Sequence, residues 1–251
     1  MTGLALAYAV RSEVGRVRTN NEDAVFASPR IVAVADGVGG SVAGEVASRT
    51  VIHALAHMDK CRLSDRVDSA LRAAVTSGND AIGFIASCRP PLAGMSTTLT
   101  ALAVAEDEYA IANIGDSRTY LFRDARLTQL TRDDSYVQEL VDSGDLTAAA
   151  ARRHPQRSVV LEALDGDARR SPTVSTARAR VGDRLLLCSD GLSDFVEDDA
   201  LEAALSMASR DRCADRLVEL ALAAGGRDNV SVIVADVIAA RDGTTGWAYP
   251  R

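Results

Sequence analysis

Acidic residues recur in this sequence at the edges of short apolar runs, and each lies beside Gly, Ser or Asn. The acids in these positions are Glu22, Asp23, Asp36, Asp116, Asp190 and Asp228. Mg²⁺ and Mn²⁺ prefer oxygen ligands in octahedral geometry, and an adjacent glycine lets a carbonyl or a water approach the ion. If the folded chain brings these carboxylates together, their mutual repulsion implies a bound cation.

A simpler interpretation exists for each acid taken alone. Asp-Gly and Asp-Asn pairs, such as those at Asp36 and Asp228, are common in turns. Repetition of the pattern at five strand edges favours the cation site over five unrelated turns. Position in the sequence does not show whether the side chains meet in space.

Arg18 lies five residues before Asp23. A guanidinium beside a divalent cation is a typical bidentate ligand for phosphate, although an isolated arginine is more often a surface residue. The glycines after Asp36 lack the Lys-Ser/Thr of a nucleotide-binding P-loop. His53 and His57 share a helical face but lack the partners of a zinc site, so we expect them to be structural.

The composition excludes several classes of protein. The chain has 251 residues, of which 47% are hydrophobic and 25% charged, as is ordinary for a globular protein. A net charge of −7 argues against a nucleic-acid-binding surface. The four cysteines form no CxxC pair, so a structural zinc site is not expected, and scattered thiols fit a reducing cytoplasm. No signal peptide and no apolar stretch of about 20 residues is evident, so we expect a cytoplasmic protein without membrane insertion.

The elements that must position the acids follow from periodicity. Strands are predicted at residues 4–10, 31–35, 97–105, 109–114, 117–122, 183–189 and 230–237. Helices are predicted at residues 42–57, 65–85, 198–207 and 212–224. The polar segment at residues 135–158 is predicted to be an excursion from the core. This order indicates an α+β fold with helices packed on a pair of sheets.

The chain resembles the PP2C-type, metal-dependent serine/threonine phosphatases, and their bacterial branch in particular. The matching segments occur in the family's order at residues 18–23, 35–40, 94–99, 112–118, 154–158, 187–191 and 226–229. The resemblance implies a four-layer α-β-β-α sandwich, in which helices flank a central antiparallel β-sandwich. It covers about residues 5–238, so we expect one domain over residues 1–241, a flap at 135–158 and a tail at 242–251.

The resemblance also implies roles for particular residues. Asp36 would bridge two core Mn²⁺ or Mg²⁺ ions, with the Gly37 carbonyl on one ion and Asp190 and Asp228 on the other. Asp116 would help to hold a third, weaker ion, to which Ser158 can contribute. Glu22, Asp23 and Asn229 would act behind the direct ligands. Arg18 would bind the substrate phosphate, while a hydroxide bridging the ions attacks phosphorus in line.

This chain departs from the family pattern at the candidate general acid. Some members have a histidine directly after the Asp-Gly pair, where this chain has Val38. Metal-bound water and His154 are the remaining candidates for the general acid, and we favour the water. Two alternatives to a protein phosphatase therefore stay open: a regulatory or phosphoprotein-binding module with little turnover, and a hydrolase of small phosphate esters. The leading hypothesis is a monomeric phosphatase that acts on phosphorylated Ser/Thr proteins and opposes a Ser/Thr kinase.

Overall fold

The computed structural model describes residues 3–38, 42–60 and 66–240. The first of two antiparallel sheets contains, in spatial order, β1 (Leu4–Glu13), β12 (Val230–Ala239), β11 (Arg184–Cys188), β8 (Arg118–Arg123) and β9 (Arg126–Gln129). The second contains β10 (Thr173–Arg178), β7 (Glu108–Ile114), β6 (Leu99–Ala105), β3 (Ile31–Ala35) and β2 (Ala24–Ala27). The short strands β4 (Gly37–Val38) and β5 (Ser96–Thr97) pair separately.

The two sheets pack face to face, and helices cover both outer faces. Along β3, Val32 and Val34 lie in the layer between the sheets together with Ile233 of β12. Ile31 and Ala33 point the other way, into the layer beneath the helices. Both faces of β3 are therefore buried, which explains its uninterrupted apolar sequence.

Four longer helices form the outer layers. The second sheet is covered by α1 (Val42–Lys60) and α2 (Val67–Cys88), and the first by α6 (Asp198–Leu205) and α7 (Arg210–Ala223). The helices α1 and α2 approach closely at Gly78, where an added Cβ would lie 2.8 Å from Val51 Cγ2. No described helix is both long and apolar enough to span a membrane.

The excursion between β9 and β10 contains two short helices, α3 (Tyr136–Asp142) and α4 (Ala148–Ala151). The Ser135 side chain caps α3 by accepting a hydrogen bond from the Gln138 amide at 3.3 Å. A β-bridge between Ser135 and Val160 joins the two ends of the excursion. The segment thus leaves and rejoins the core at one place.

Most predicted elements are present, and the elements outside the predicted ranges include the strands β9 and β10 and the short helix α5. The strands β9 and β10 have mainly polar, exposed residues because they lie at sheet edges, so their sequences show little apolar signal. The short helix α5 (Asp190–Ser193) spans one turn, which is too short to show a helical period. The predicted tail at residues 242–251 lies outside the described residues, and the boundary at 241 stays a prediction.

A buried ionic cluster joins the two sheets at the end of the sandwich opposite the β11–α5 junction. The Asp183 carboxylate, which is 1% exposed, accepts hydrogen bonds from the Tyr109 hydroxyl and from the Arg123 guanidinium, the latter at 2.5 and 2.6 Å. Burial raises the pKa of Asp183, but these hydrogen bonds outweigh it, so the pKa is lower than usual.

Asp183→Asn is expected to lower the free energy of unfolding at neutral pH by about 1.5–3 kcal/mol, because the Arg123 charge loses its partner. A depressed folded-state pKa stabilises the fold above the unfolded value of about 3.9, and this stabilisation is lost as the pH falls. Urea unfolding across pH should therefore show a deficit that narrows below about pH 4. Asp107→Asn is the control, since that carboxylate is 65% exposed. A deficit of constant size at every pH would contradict this assignment.

Candidate metal centre

The predicted acids meet at one end of the sandwich because the strands that precede or follow them end there. Asp36 follows β3, Asp116 follows β7, Asp190 follows β11, and Asp228 precedes β12. They line a cavity of about 290 Å³. Its full lining is Arg18, Glu22, Asp36, Gly37, Val38, Thr98, Asp116, Ser158, Val160, Asp190 and Asp228. Of the predicted site residues, only Asp23 and Asn229 lie behind this lining.

Two carboxylate oxygens behind and along this cavity have no protein partner. Asp190 Oδ1 and Asp23 Oδ1 are buried, and neither accepts a hydrogen bond. A buried, unpaired carboxylate oxygen is unfavourable unless a cation or a water satisfies it. The donor set is entirely oxygen, so these residues fit a hard divalent cation.

Among the described residues, no group of three or more His, Cys, Asp or Glu side chains is nevertheless arranged so that it could hold a metal ion by itself. The acids line a cavity, and they do not surround a single ion-sized position. Mg²⁺ keeps several waters and commonly uses only one or two carboxylates directly. We therefore favour a site in which waters fill much of the coordination sphere, and the shared cavity is the observation that supports it.

The electrostatics of the cavity reflect this convergence of charge. Burial, followed by repulsion from Asp23 and Asp190, raises the pKa of Asp36 well above its usual range. Burial, followed by repulsion from Asp116, raises the pKa of Asp190 in the same way. The protein alone thus disfavours the charged carboxylates at this end of the sandwich, and a bound cation would reverse the effect.

Asn229 fixes the loop that carries Arg18 and Glu22. Its Nδ2 donates to the carbonyls of Val14 and Asn20, both at 2.9 Å. Its Oδ1 accepts from the Glu22 amide at 2.9 Å. Asn229 thereby ties the β1–β2 loop to the start of β12, next to Asp228. Asp23 is held from the other side by the Ser189 hydroxyl at 2.9 Å.

Glycine is required where two backbones approach at the cavity. A Cβ at Gly191 would lie 1.9 Å from the Asn229 carbonyl oxygen. A Cβ at Gly37 would lie 2.4 Å from the Gly44 carbonyl in α1. The Asp36 carbonyl accepts from the Thr98 amide and the Thr97 hydroxyl, both at 2.8 Å. These contacts hold Asp36 and the Gly37 carbonyl at a fixed edge of the cavity.

Arg18 reaches the cavity from the β1–β2 loop and pairs with an acid in it. Its Nη2 lies 2.8 Å from Asp228 Oδ2, and its side chain is 48% exposed. The guanidinium therefore lies at the mouth, where an incoming anion can reach it. Arg18 is thus an exposed residue that also lines the cavity, and its phosphate-binding role stays a prediction.

The excursion borders the cavity through Ser158, which is exposed and lies in the lining. The neighbouring Arg157 pairs with Asp194 at 3.2 Å. Two residues were not assigned a role from the sequence: Thr98, which lines this cavity, and Asp194, which lines the adjoining one. The available signals were the i,i+4 spacing of Asp194 from Asp190 and the position of Thr98 within the matched segment at residues 94–99.

None of the three histidines lines this cavity. His53 and His57 lie along a separate groove of about 760 Å³ between α1 and α2. His154 in the excursion lies 6.2 Å from Tyr136 between ring centroids, and its Nδ1 accepts from the Gln156 amide. The expectation of structural histidines in α1 agrees with their position away from the acids.

Comparison with known proteins gives consistent matches. The sequence profile described as "Protein phosphatase 2C" matches residues 15–224. The "Serine/threonine protein phosphatase PstP" of Mycobacterium tuberculosis is 52% identical over 235 residues, which cover 94% of this chain and 46% of that protein. This chain thus spans about half the length of that relative. The "Serine/threonine phosphatase stp" of Listeria welshimeri is 36% identical over 90% of this chain and 94% of its own length.

A solved structure extends the likeness to three dimensions. The catalytic domain of serine threonine protein phosphatase PstP, in complex with two manganese ions, has a TM-score of 0.88 and 49% identity. The match covers 94% of this chain and 99% of that one. The predicted four-layer sandwich is therefore confirmed.

Saturating Mn²⁺ is expected to raise the Tm by roughly 5–10 °C, because binding to the folded state alone shifts the unfolding equilibrium. Asp36→Asn is expected to raise the Tm of the metal-free protein by relieving repulsion, and to reduce the Mn²⁺ effect. Thermal unfolding with Mn²⁺ and with chelator checks both effects. Asp80→Asn on α2 is the control. An Asp36→Asn protein with an unchanged Mn²⁺ response would contradict the site.

Proposed function

The chain belongs to the protein phosphatase 2C family, and from that membership we propose that it hydrolyses phosphoserine and phosphothreonine in proteins with Mn²⁺ or Mg²⁺. The observation that carries the proposal is the cavity in which Arg18 lies beside Asp36, Asp190 and Asp228. A phosphate monoester needs both a cationic environment for its oxygens and an activated water. This cavity provides an arginine and the ligands for cations in one place.

Asp36, Asp190 and Asp228 are the proposed ligands of two core ions, together with the Gly37 carbonyl. Asp116, near Ser158 in the same lining, is the proposed ligand of a third. Two divalent ions, when bound, activate a water and neutralise phosphoryl oxygens. Asp36 is well placed for this role, because hydrogen bonds from Thr97 and Thr98 to its carbonyl fix its backbone.

The residues behind the ligands have a positioning role in this proposal. The Glu22 and Asp23 carboxylates would accept hydrogen bonds from the waters that complete the coordination sphere. Asn229 would keep the Arg18 loop in register with Asp228, as its three hydrogen bonds indicate. Ser158, which lies where the excursion borders the cavity, would contribute to the third ion.

Arg18 would exchange partners when substrate binds. In the protein alone its guanidinium pairs with Asp228. A cation held by Asp228 would weaken that pair, because the carboxylate charge is then shared. Two of the N–H groups of the Arg18 guanidinium would then be available for a bidentate contact with the phosphate. Substrate binding would thus depend on prior occupation of the cation site.

The leaving group needs a proton, and the cavity lining contains no histidine to supply it. Val38 occupies the position at which some family members have one. We propose that water donates this proton. The same observation keeps a second candidate open, a phosphoprotein-binding module with little turnover. A hydrolase of small phosphate esters is the third.

The setting of the reaction is also a proposal. Cys88, Cys188 and Cys213 are free thiols, which suits a reducing cytoplasm. We propose a monomer that acts there on proteins phosphorylated by a Ser/Thr kinase. Phosphate release from phosphothreonine peptides, compared with small phosphate esters, distinguishes the leading function from the third candidate.

Asp190→Ala is expected to lower kcat for an aryl phosphate by at least about 100-fold, because loss of a direct ligand exceeds loss of an outer-shell partner. The assay compares Mn²⁺ with chelator for the wild-type protein and for the control Asp80→Ala, whose side chain lies exposed on α2. Absence of Mn²⁺-dependent turnover in the pure wild-type protein would contradict the proposed function and favour the binding module.

Arg18→Ala is expected to raise KM for a phosphothreonine peptide by about 10- to 100-fold, which corresponds to losing charge-assisted hydrogen bonds. Mn²⁺ binding, monitored by the Tm shift, should persist in this variant. Arg16→Ala is the matched control, because Arg16 is exposed two residues away and does not line the cavity. An unchanged KM in Arg18→Ala would remove the phosphate-binding role.

A further inference from the structure

Asp134 lies outside the lining of the metal cavity but holds the turn that carries Asp116. Asp134 Oδ2 accepts a hydrogen bond from the Gly115 amide at 3.0 Å, and the Asp134 amide donates to the Gly115 carbonyl at 2.9 Å. Both polar backbone groups of Gly115 therefore have Asp134 as a partner. Because Gly115 directly precedes Asp116, these two hydrogen bonds fix the peptide plane through which the chain enters Asp116.

The neighbouring Asp133 holds the chain on the other side of Asp116. Arg118, two residues beyond Asp116, is the first residue of β8. Its Nη2 lies 2.6 Å from Asp133 Oδ2, and its Nε donates to both carboxylate oxygens at 2.9 Å. The Asp133 side chain is buried, so this charge-assisted contact is shielded from water. Two adjacent acids thus bind the residues before and after Asp116.

The turn between β7 and β8 also packs closely against Thr98. Gly115 has a φ of +94°, and a Cβ at this position would lie 2.6 Å from Thr98 Cγ2. The hydroxyl groups of Ser117 and Thr98 are hydrogen-bonded at 2.9 Å. The backbone on both sides of Asp116 is therefore held by named contacts, and the direction of its carboxylate depends on them.

Gly115 is buried, so its amide needs an acceptor within the protein. Truncating the Asp134 side chain would remove the carboxylate that accepts from this amide. A buried amide without an acceptor is unfavourable, and the turn would move to find another partner. Asp116, as the next residue, would move with it.

A second contact of Asp134 reaches the base of the excursion. Its carbonyl accepts from the Leu161 amide at 2.8 Å, and the next residue, Ser135, forms a β-bridge with Val160. Val160 lines the metal cavity, as Asp116 does. Asp134 therefore joins two parts of the cavity wall that are distant in sequence.

The ion pair of Asp134 is a weaker candidate for its role. Arg132 Nη1 lies 3.7 Å from Asp134 Oδ1, and the same guanidinium lies 2.5 Å from Asp142. Arg132 is 51% exposed, and exposed ion pairs of this kind contribute little to stability. The contact with Gly115 is thus the one that distinguishes Asp134 from an ordinary surface acid.

We propose that Asp134 is a positioning residue, which acts through Gly115 to hold the Asp116 carboxylate where it can bind the third, weaker divalent ion. The inference rests on the proposed function and adds a residue to the same site. Asp134 itself touches neither ion nor substrate in this proposal, because it lies outside the cavity lining. Groups that orient a metal ligand commonly change metal affinity by about 10- to 100-fold when they are removed.

Calorimetric titration with Mn²⁺ tests the proposal without reference to turnover. In Asp134→Ala, the dissociation constant of the weakest Mn²⁺ site is expected to rise at least about tenfold, while the tighter sites change by less than about twofold. Asp134→Asn keeps an oxygen that can accept from the Gly115 amide, so it is expected to bind Mn²⁺ like the wild-type protein.

Three results of this titration would overturn the inference. They are an unchanged weakest site in Asp134→Ala, an equal loss of affinity in Asp134→Ala and Asp134→Asn, and a wild-type protein that binds no third ion. A lower Tm in Asp134→Ala with unchanged Mn²⁺ affinity would show a purely structural role and would also overturn it.

Asp142→Ala is the matched control, because it removes the closer acidic partner of Arg132 and leaves the Gly115 contact in place. It is expected to bind Mn²⁺ with wild-type affinity. Circular dichroism establishes that each variant is folded, and Asp134→Ser is the second disrupting variant. Failure of both Asp134→Ala and Asp134→Ser to fold would make Asp134 a folding residue and would overturn the inference.

A double-mutant cycle tests whether Asp134 acts through Asp116. Asp134→Ala is expected to lower kcat for a phosphothreonine peptide about tenfold in the wild-type background, and by less than about twofold when Asp116→Ala is already present. Equal factors in both backgrounds would overturn the inference.

The proposed function and this inference fail in different ways. Absence of Mn²⁺-dependent hydrolysis of peptide and aryl phosphate by the wild-type protein would refute the function, and the Mn²⁺ titration would still decide the role of Asp134. Hydrolysis by the wild-type protein together with unchanged Mn²⁺ affinity in Asp134→Ala would refute the positioning role alone.

Discussion

Carboxylates from several strand ends are held close together at one end of the β-sandwich, where they repel one another. Asp36, Asp116, Asp190 and Asp228 line a single cavity, and burial with repulsion raises the pKa of Asp36 and Asp190. Such an arrangement is unfavourable in the protein alone and becomes favourable with divalent cations. The strand ends and loop contacts around the cavity hold these charges close together.

That construction is rigid wherever a carboxylate is presented. Strands end directly at the acids, so two sheets packed on a common core set their positions. Gly191 permits the backbone after β11 to touch Asn229, and Asn229 in turn holds the Arg18 loop. Arg18, by contrast, has a half-exposed side chain that is paired with Asp228. Carboxylates in fixed positions beside the half-exposed Arg18 guanidinium suit a site that binds metal first and phosphate second.

The sequence allowed the acids and the strands beside them to be predicted, because each depends on a local pattern, whereas the four-layer order was implied by the family resemblance. The uninterrupted run in β3 and the Asp-Gly pair after it are examples. What could not be predicted depends on tertiary contacts. Asp194 directly follows a one-turn helix without a visible period, and none of the residues of the polar edge strand β10 is fully buried. The pairing of Arg18 with Asp228 joins residues 210 positions apart.

Asp36, Asp190 and Asp228 are proposed to make this cavity a divalent-cation site. Crystals soaked in Mn²⁺ and measured near the manganese absorption edge would test it most directly, because anomalous scattering locates the ions without reference to activity. Anomalous peaks are expected inside the cavity, between Asp36 and the pair Asp190 and Asp228. Peaks confined to other parts of the surface, or none at saturating Mn²⁺, would contradict it.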